Sequence, residues 1–243
     1  MSAPNGNSNS SPSVIAVEGV WKFYGDFPAL RDINFSVEHG QCLALLGRNG
    51  AGKTTLLRIL AGLSVPTKGH VKVLGTVVRE QQTRRRIGVL GHAIGIYDEL
   101  SALDNLKLFG KLYGLENPTK AAEAWLERTG LTRVAHGLVR EFSRGMRQRL
   151  AVARAFLHEP DVLLLDEPFT ALDDRAIAVL QDLLRSALAE GKTVMMSTHQ
   201  LREALELATH VALVNRGKIA YTGERTQEML QDPGWLYRNF GEA

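Results

Sequence analysis

Cysteine is nearly absent from this chain: its 243 residues hold one, Cys42. A single thiol excludes an internal disulfide and gives no sign of an oxidising compartment. Cys42 lies in the apolar run QCLALL, which reads as a buried strand thiol rather than a reactive one. Long hydrophobic runs are also missing. None approaches the roughly 20 residues that cross a bilayer as a helix. The opening MSAPNGNSNSSPS lacks the charged-then-apolar order of a signal peptide. Residues 1–13, rich in Ser, Asn and Pro, are expected to be a disordered tail. Charge of one sign is scarce too, because 29 basic and 26 acidic residues leave only +3. The nearest thing to a basic block is Arg84-Arg85-Arg86. That is too little for the stripe shown by nucleic-acid binders, so no nucleic-acid partner is expected. Core material is plentiful: 44% of residues are hydrophobic, enough for one α/β domain over 14–243.

The chain then divides by pattern. VIAVEGVWKFY, a turn at GDF, and ALRDINFSV read as antiparallel strands near the start. QCLALLG is a short apolar strand ending at Gly47, and TTLLRILAGL carries apolar residues at helical spacing up to Gly62. VKVLG and IGVLGH are further short strands. Residues 91–155 read as a helical block. SALDNLKLFGKLYGL opens on Ser101 as N-cap, with Asp104 in the position of a capping box usually held by Glu or Gln. NPTKAAEAWLERTGL has Asn117 as N-cap, Pro118 at the first helical position and Gly130 past the end. Strand and helix then alternate: VLLLDEP, a helix near 174–189, TVMMST, a helix over 200–208, HVALVN, and a hairpin turn at NRGK. This order predicts a parallel α/β sheet with a helical insertion and antiparallel strands at the N-terminus.

Two stretches carry chemistry. GRNGAGKTT, from Gly47 to Thr55, fits G-x-x-x-x-G-K-[ST] between a strand and a helix, the context this phosphate-loop motif needs. Gly47, Arg48, Asn49, Gly50, Ala51, Gly52 and Thr55 bring backbone N–H groups around phosphate oxygens at a helix N-terminus. Lys53 reaches the β- and γ-phosphates, and Thr54 is a ligand for Mg²⁺. VLLLDEP supplies the second part. Val162 to Leu165 suit a strand buried on both faces, which delivers Asp166 to its C-terminal end, where α/β sheets bind ligands. Asp166 suits the magnesium site, and Glu167 suits a general base that polarises the attacking water. His199 ends a neighbouring strand, within reach of a γ-phosphate.

In this order the pieces resemble the ATP-binding subunits of ABC transporters, from about Val14 to Gly223. The resemblance implies a P-loop NTPase (RecA-like) core over 14–90 and 156–243, with a helical subdomain over 91–155. It implies ATP and Mg²⁺ as ligands, an ATPase coupled to translocation, and separate membrane permease subunits as partners. It also implies a place on the cytoplasmic face of the membrane and a head-to-tail dimer with itself or a paralogous subunit. FSRGM, Phe142 to Met146, stands where the family has Leu-Ser-Gly-Gly-Gln, a loop that covers the ATP held by the other subunit. Ser143 and Gly145, a small hydroxyl and a bare backbone opening a helix, match that loop. Arg144 and Met146 depart from it. Arg147, Arg149 and Arg154 are expected on the surface or at an interface. Tyr24 lies where the family stacks an aromatic on adenine, and Asp173 matches a loop that touches the partner subunit. His92 stands where most relatives have a glutamine linking the metal site to the membrane domains.

VLGHAIGIYDELSALDNL, KLYGL and VREFSRGMRQRLAVARAFL narrow the resemblance to the haem-exporter ATPases of cytochrome c biogenesis. Exporter ATPases for drugs, polysaccharides or lipids share much of this. A soluble ABC-type ATPase of ribosomes or DNA repair is a weaker alternative, since the chain has neither a second cassette nor a coiled-coil insertion. FSRGM, Glu167 and His199 together argue against a kinase or GTPase.

Overall fold

The computed structural model describes residues 13–91 and 95–241. In chain order the elements are β1 Ser13–Tyr24, β2 Phe27–Glu38, β3 Cys42–Leu46, α1 Lys53–Leu60, β4 Lys68–Val73, β5 Thr76–Val77, α2 Gln81–Arg84 and β6 Ile87–Leu90. The helical block follows, with α3 Ala102–Tyr113, α4 Pro118–Arg128 and α5 Arg144–Phe156. Then come β7 Val162–Asp166, α6 Asp174–Ala189, β8 Thr193–Thr198, α7 Leu201–Leu205, β9 His210–Asn215, β10 Lys218–Glu224, α8 Gln227–Gln231 and α9 Trp235–Phe240. No helix among the described residues is long and apolar enough to cross a membrane.

The central sheet has the order β10-β9-β3-β8-β7-β6. β9, β3, β8, β7 and β6 run parallel, and β10 closes one edge antiparallel to β9. A parallel sheet is covered on both faces, so its strands read as unbroken apolar runs while their side chains alternate between two layers. Cys42, Ala44, Leu46, Leu163, Leu165, Val194 and Met196 face the layer built with α3 to α6. Leu43, Leu45, Val162, Leu164 and Met195 face the layer built with α1, β1, β2 and β4. Each fully buried Leu or Val contributes about 1.5–3 kcal/mol relative to exposure. Burial also pushes the Cys42 thiol pKa up to about 12, so it stays protonated and inert.

The second sheet, β2-β1-β4-β5, is antiparallel. Here the structure extends the sequence reading: VKVLG belongs to a strand that starts at Lys68 and pairs with β1, away from the parallel sheet. Three other differences are local. The helix expected over 200–208 is confined to Leu201–Leu205. The turn at NRGK leads into a full strand, β10, and two C-terminal helices follow that no strong periodicity announced. The cap of α3 forms as expected, with Ser101 Oγ accepting the Asp104 N–H at 3.0 Å. The Asp104 carboxylate in turn accepts the Ser101 hydroxyl at 2.7 Å, which holds its pKa below the usual carboxylate value. Asn117 Oδ1 caps α4 by accepting the Lys120 N–H at 3.0 Å.

α5 lies against β6, and Gly88 is where they meet. A Cβ placed on Gly88 would stand 2.3 Å from the Ala155 carbonyl oxygen and 2.7 Å from Pro160 Cγ. Gly88→Ala is therefore expected to lower stability by about 1–3 kcal/mol, the usual cost of overpacking a core. The urea unfolding midpoint measures it, and an unchanged midpoint would contradict this close approach.

Candidate functional site

The phosphate loop runs from the end of β3 into α1. Gly47, Gly50 and Gly52 all take positive φ, at 153°, 80° and 113°. Glycine is needed for space as well as for torsion. A Cβ on Gly47 would sit 2.5 Å from the Val214 carbonyl oxygen, and one on Gly52 would sit 2.7 Å from that of Ala29. The loop is pinned from both sides: Gly217 N–H donates to the Ala51 carbonyl at 3.0 Å, and Arg31 N–H donates to that of Gly217 at 2.7 Å. Lys53, the first residue of α1, is buried, and its Nζ donates to the Gly47 carbonyl at 2.7 Å and to that of Arg48 at 3.3 Å. Burial lowers its pKa below the ordinary lysine value, and the negative charges of Glu167 and Asp166 oppose that shift.

β7 ends at Asp166, which is 5% exposed and accepts a short hydrogen bond from the Ser197 hydroxyl at the end of β8. Glu167 follows with φ 52°, a left-handed conformation that costs a non-glycine residue about 1–3 kcal/mol. Its N–H donates to the Ser197 carbonyl at 2.8 Å, which holds the turn. The Glu167 carboxylate accepts from Thr198 Oγ1 at 3.1 Å and lies 2.9 Å from His199 Nδ1. Phe169, fully buried, anchors the loop beyond.

A cleft of about 380 Å³ brings these parts together. Tyr24, Asn49 to Thr55 and Glu167 line it, as do Phe27 and Ala29. Tyr24 and Phe27 pair across the hairpin turn that ends β1, where Gly25 has φ 57°, a conformation suited to so tight a loop. The turn leaves both aromatic rings exposed at the mouth, 52% and 62% respectively. Thr54 and Asp166 line an adjoining cavity of about 200 Å³. A hydroxyl and a carboxylate on one small cavity are hard oxygen donors of the kind Mg²⁺ takes alongside phosphate oxygens. The Ser197 bond orients that carboxylate, as outer partners of metal ligands do.

Other residues singled out from the sequence lie apart. Ser143, Gly145 and Asp173 line neither cavity. Ser143 caps α5, its Oγ accepting the Met146 N–H at 3.2 Å. Gly145 is required by packing, since a Cβ there would lie 2.9 Å from the Ala171 carbonyl oxygen. Asp173 caps α6, its Oδ1 accepting the Ala176 N–H at 2.8 Å. Arg144 is exposed. His92 lies outside the described residues.

The arginines of α5 do more than line the surface: Arg147, Arg149 and Arg154 are half-buried, and each also bonds to other segments of the chain. Arg147 pairs with Asp98 at 2.6 Å and donates to the carbonyls of Phe142 and Arg140. Arg149 Nη1 donates to the carbonyls of Thr129 and Gly130, each at 3.2 Å. Arg154 reaches Gly95 and Val89 carbonyls at 2.7 and 2.9 Å, and burial lowers its pKa. Free backbone carbonyls at helix and loop ends attract them, a demand that side-chain periodicity does not display.

Sequence reasoning missed several site residues. Buried Gln148 donates to the Pro168 carbonyl at 3.0 Å, tying α5 to the Glu167 loop. Ser197 and Thr198 hold the two carboxylates; polar residues ending the apolar strand TVMMST were the available signal. Phe27 lay in plain sight beside the GDF turn. Tyr237 on α9 comes from a segment with no motif. Burial pushes its phenol pKa up, and a hydrogen bond with the Gly47 backbone opposes the shift.

Comparison with known proteins identifies the family. Residues 30–170 match the family described as ABC transporter. The Nod factor export ATP-binding protein I of Ralstonia nicotianae is 38% identical over 219 residues, covering 88% of this chain and 68% of that protein. The ABC transporter ATP-binding protein NatA of Bacillus subtilis is 39% identical over 200 residues, 80% of this chain and 81% of that one. The daunorubicin resistance ATP-binding protein DrrA3 of Streptomyces coeruleorubidus is 41% identical, covering 87% of this chain and 68% of that protein. Among solved structures, an ATP-binding subunit of an ABC transporter superposes with a TM-score of 0.82 at 28% identity, over 94% of each chain. A dimeric ATP-binding cassette in a post-hydrolysis state, bound to ADP and Pi, gives 0.81 at 26% identity over 87% of this chain and 99% of that one. A nucleotide cleft assembled from the ends of β3, β7 and β8, on a chain with these relatives, leads to one conclusion: the protein belongs to the ABC transporter family, as an ATP-binding subunit with ATPase activity.

Proposed function

We propose that this chain is the motor subunit of an exporter, hydrolysing ATP on the cytoplasmic face of a membrane to drive a separate multi-span permease. The observation that carries the reading is the position of Glu167. Thr198 and His199 hold its carboxylate on the wall of the same cleft that the phosphate loop lines.

The residues then take these roles. Tyr24 stacks on adenine, with Phe27 beside it. Backbone N–H groups from Gly47 to Thr55 and the N-terminus of α1 hold the β- and γ-phosphates, and Lys53 neutralises them. Thr54 and Asp166 would hold Mg²⁺, which when bound supplies charge neutralisation on the transferring phosphoryl group. Glu167 takes a proton from the attacking water. His199 orients that carboxylate and stands next to the γ-phosphate position. In this reading His92 replaces a glutamine between the metal site and the permease.

Ser143, Gly145 and Asp173 have no place at this chain's own cleft. They act on the nucleotide of a second copy, or of a paralogue, in a head-to-tail dimer. The exposed N-terminus of α5 supports this, because a helix N-terminus with a free edge suits an anion brought by another molecule.

Haem for cytochrome c biogenesis is the cargo we favour, on the strength of the His92 region and the VREFSRGMRQRLAVARAFL stretch. Export of another compound is the second reading, and it is supported by relatives named for Nod factor export and daunorubicin resistance.

Ser143→Arg is expected to leave ATP binding within a few-fold of the parent while turnover falls at least about ten-fold, because it obstructs the partner's nucleotide and spares the chain's own loop. Filter binding and phosphate release measure the two quantities; unchanged turnover would remove the dimer role of this stretch. For the cargo, tagged protein drawn from native membranes with Mg-ATP should bring down small multi-span proteins of cytochrome c maturation. A different multi-span protein would discard haem and keep the exporter. Ribosomes or repair factors alone would discard both.

A further inference from the structure

A cleft apart from the nucleotide site lies between the end of α4, the middle of α5 and the start of α6, with a volume of about 590 Å³. Four arginines line it: Arg128, Arg133, Arg149 and Arg175. Among the described residues, none of the four pairs with a carboxylate. Arg149 uses one nitrogen on the Thr129 and Gly130 carbonyls, and Arg128 lies 4.3 Å over the Trp125 ring. Arg133 and Arg175 are exposed. Two acids, Glu127 and Asp173, stand on the cleft wall, so four guanidinium groups face two carboxylates, one of which also caps α6 through the Ala176 N–H.

Guanidinium groups gathered this way repel one another, and the N-terminus of the 16-residue α6 adds positive potential. An anion relieves both. We propose that this cleft is a second anion site, separate from the phosphate loop, and that it takes a phosphate-bearing ligand. A phosphate group offers three oxygens to guanidinium forks arriving from different elements, a geometry that a lone carboxylate matches less well. The volume falls in the range of small-molecule sites. A soluble phosphate ester and a phospholipid headgroup present the same chemistry here. The inference stands on the cleft alone and does not depend on the transport reading.

The test uses the full chain carrying Lys53→Ala, which weakens the phosphate loop as a competing site. Inorganic tripolyphosphate is titrated by calorimetry, with Trp fluorescence in parallel because Arg128 covers Trp125. Saturable binding is expected, falling at least about ten-fold when Arg133→Ala and Arg175→Ala are added, as loss of two charge-assisted contacts implies. Arg133→Gln alone should give a partial loss, which keeps the comparison decisive if the double change unfolds the chain. Co-sedimentation with phosphatidic acid vesicles, but not with phosphatidylcholine, and its loss in the double variant would assign the headgroup. Binding of the free ion without sedimentation would assign a solute. Absence of saturable binding would overturn the proposal, as would equal binding by the arginine variants. So would stronger binding of polyglutamate than of tripolyphosphate, which would indicate an acidic protein partner.

Discussion

The site depends on the C-terminal end of β8. The sheet order sets this strand between β3, which ends in the phosphate loop, and β7, which ends in Asp166. Two adjacent carboxylates repel each other and resist leaving water, so they stay in place only where hydrogen bonds meet them. Ser197 and Thr198 supply hydroxyls to Asp166 and Glu167 in turn, and His199, the next residue, pairs with Glu167. Lys53, buried on the opposite wall, balances their charge. Parallel strands buried on both faces keep these three strand ends level, because sliding any one of them would expose its apolar side chains.

The helical block is fastened to this centre by polar side chains on one helix. Gln148 holds the Pro168 carbonyl, and Arg147, Arg149 and Arg154 hold carbonyls from β6 and from the segments that lead into α5. Gly145 lies against Ala171, within the same loop that Glu167 opens. α5 and the carboxylate loop therefore form one packed unit. Cutting the buried Gln148 bond leaves an orphaned polar group, at a cost of about 1–3 kcal/mol.

Much of this was legible because it is local. The phosphate loop, the VLLL strand and the caps at Ser101 and Asn117 rest on torsion, burial and hydrogen bonds within a few residues. The features that escaped rest on distant partners. KGHVKV looks like any short strand until β1 pairs with it. The α5 arginines look solvated until carbonyls from residues 89 to 142 come near them. Gln148 is one polar residue in a basic run, and only the fold brings Pro168 to it. The C-terminal helices are too short to show a period, yet α9 carries Tyr237 to the back of the phosphate loop.

The central claim is that Glu167 works on water and contributes little to holding nucleotide. Glu167→Gln keeps the shape and a hydrogen-bonding group while removing the base. The decisive measurement is ATP affinity and single-turnover hydrolysis on this variant under the same conditions. The account predicts affinity within a few-fold of the parent and hydrolysis slower by about a hundred-fold or more, in the range that loss of a general base gives. Hydrolysis within a few-fold of the parent would contradict it.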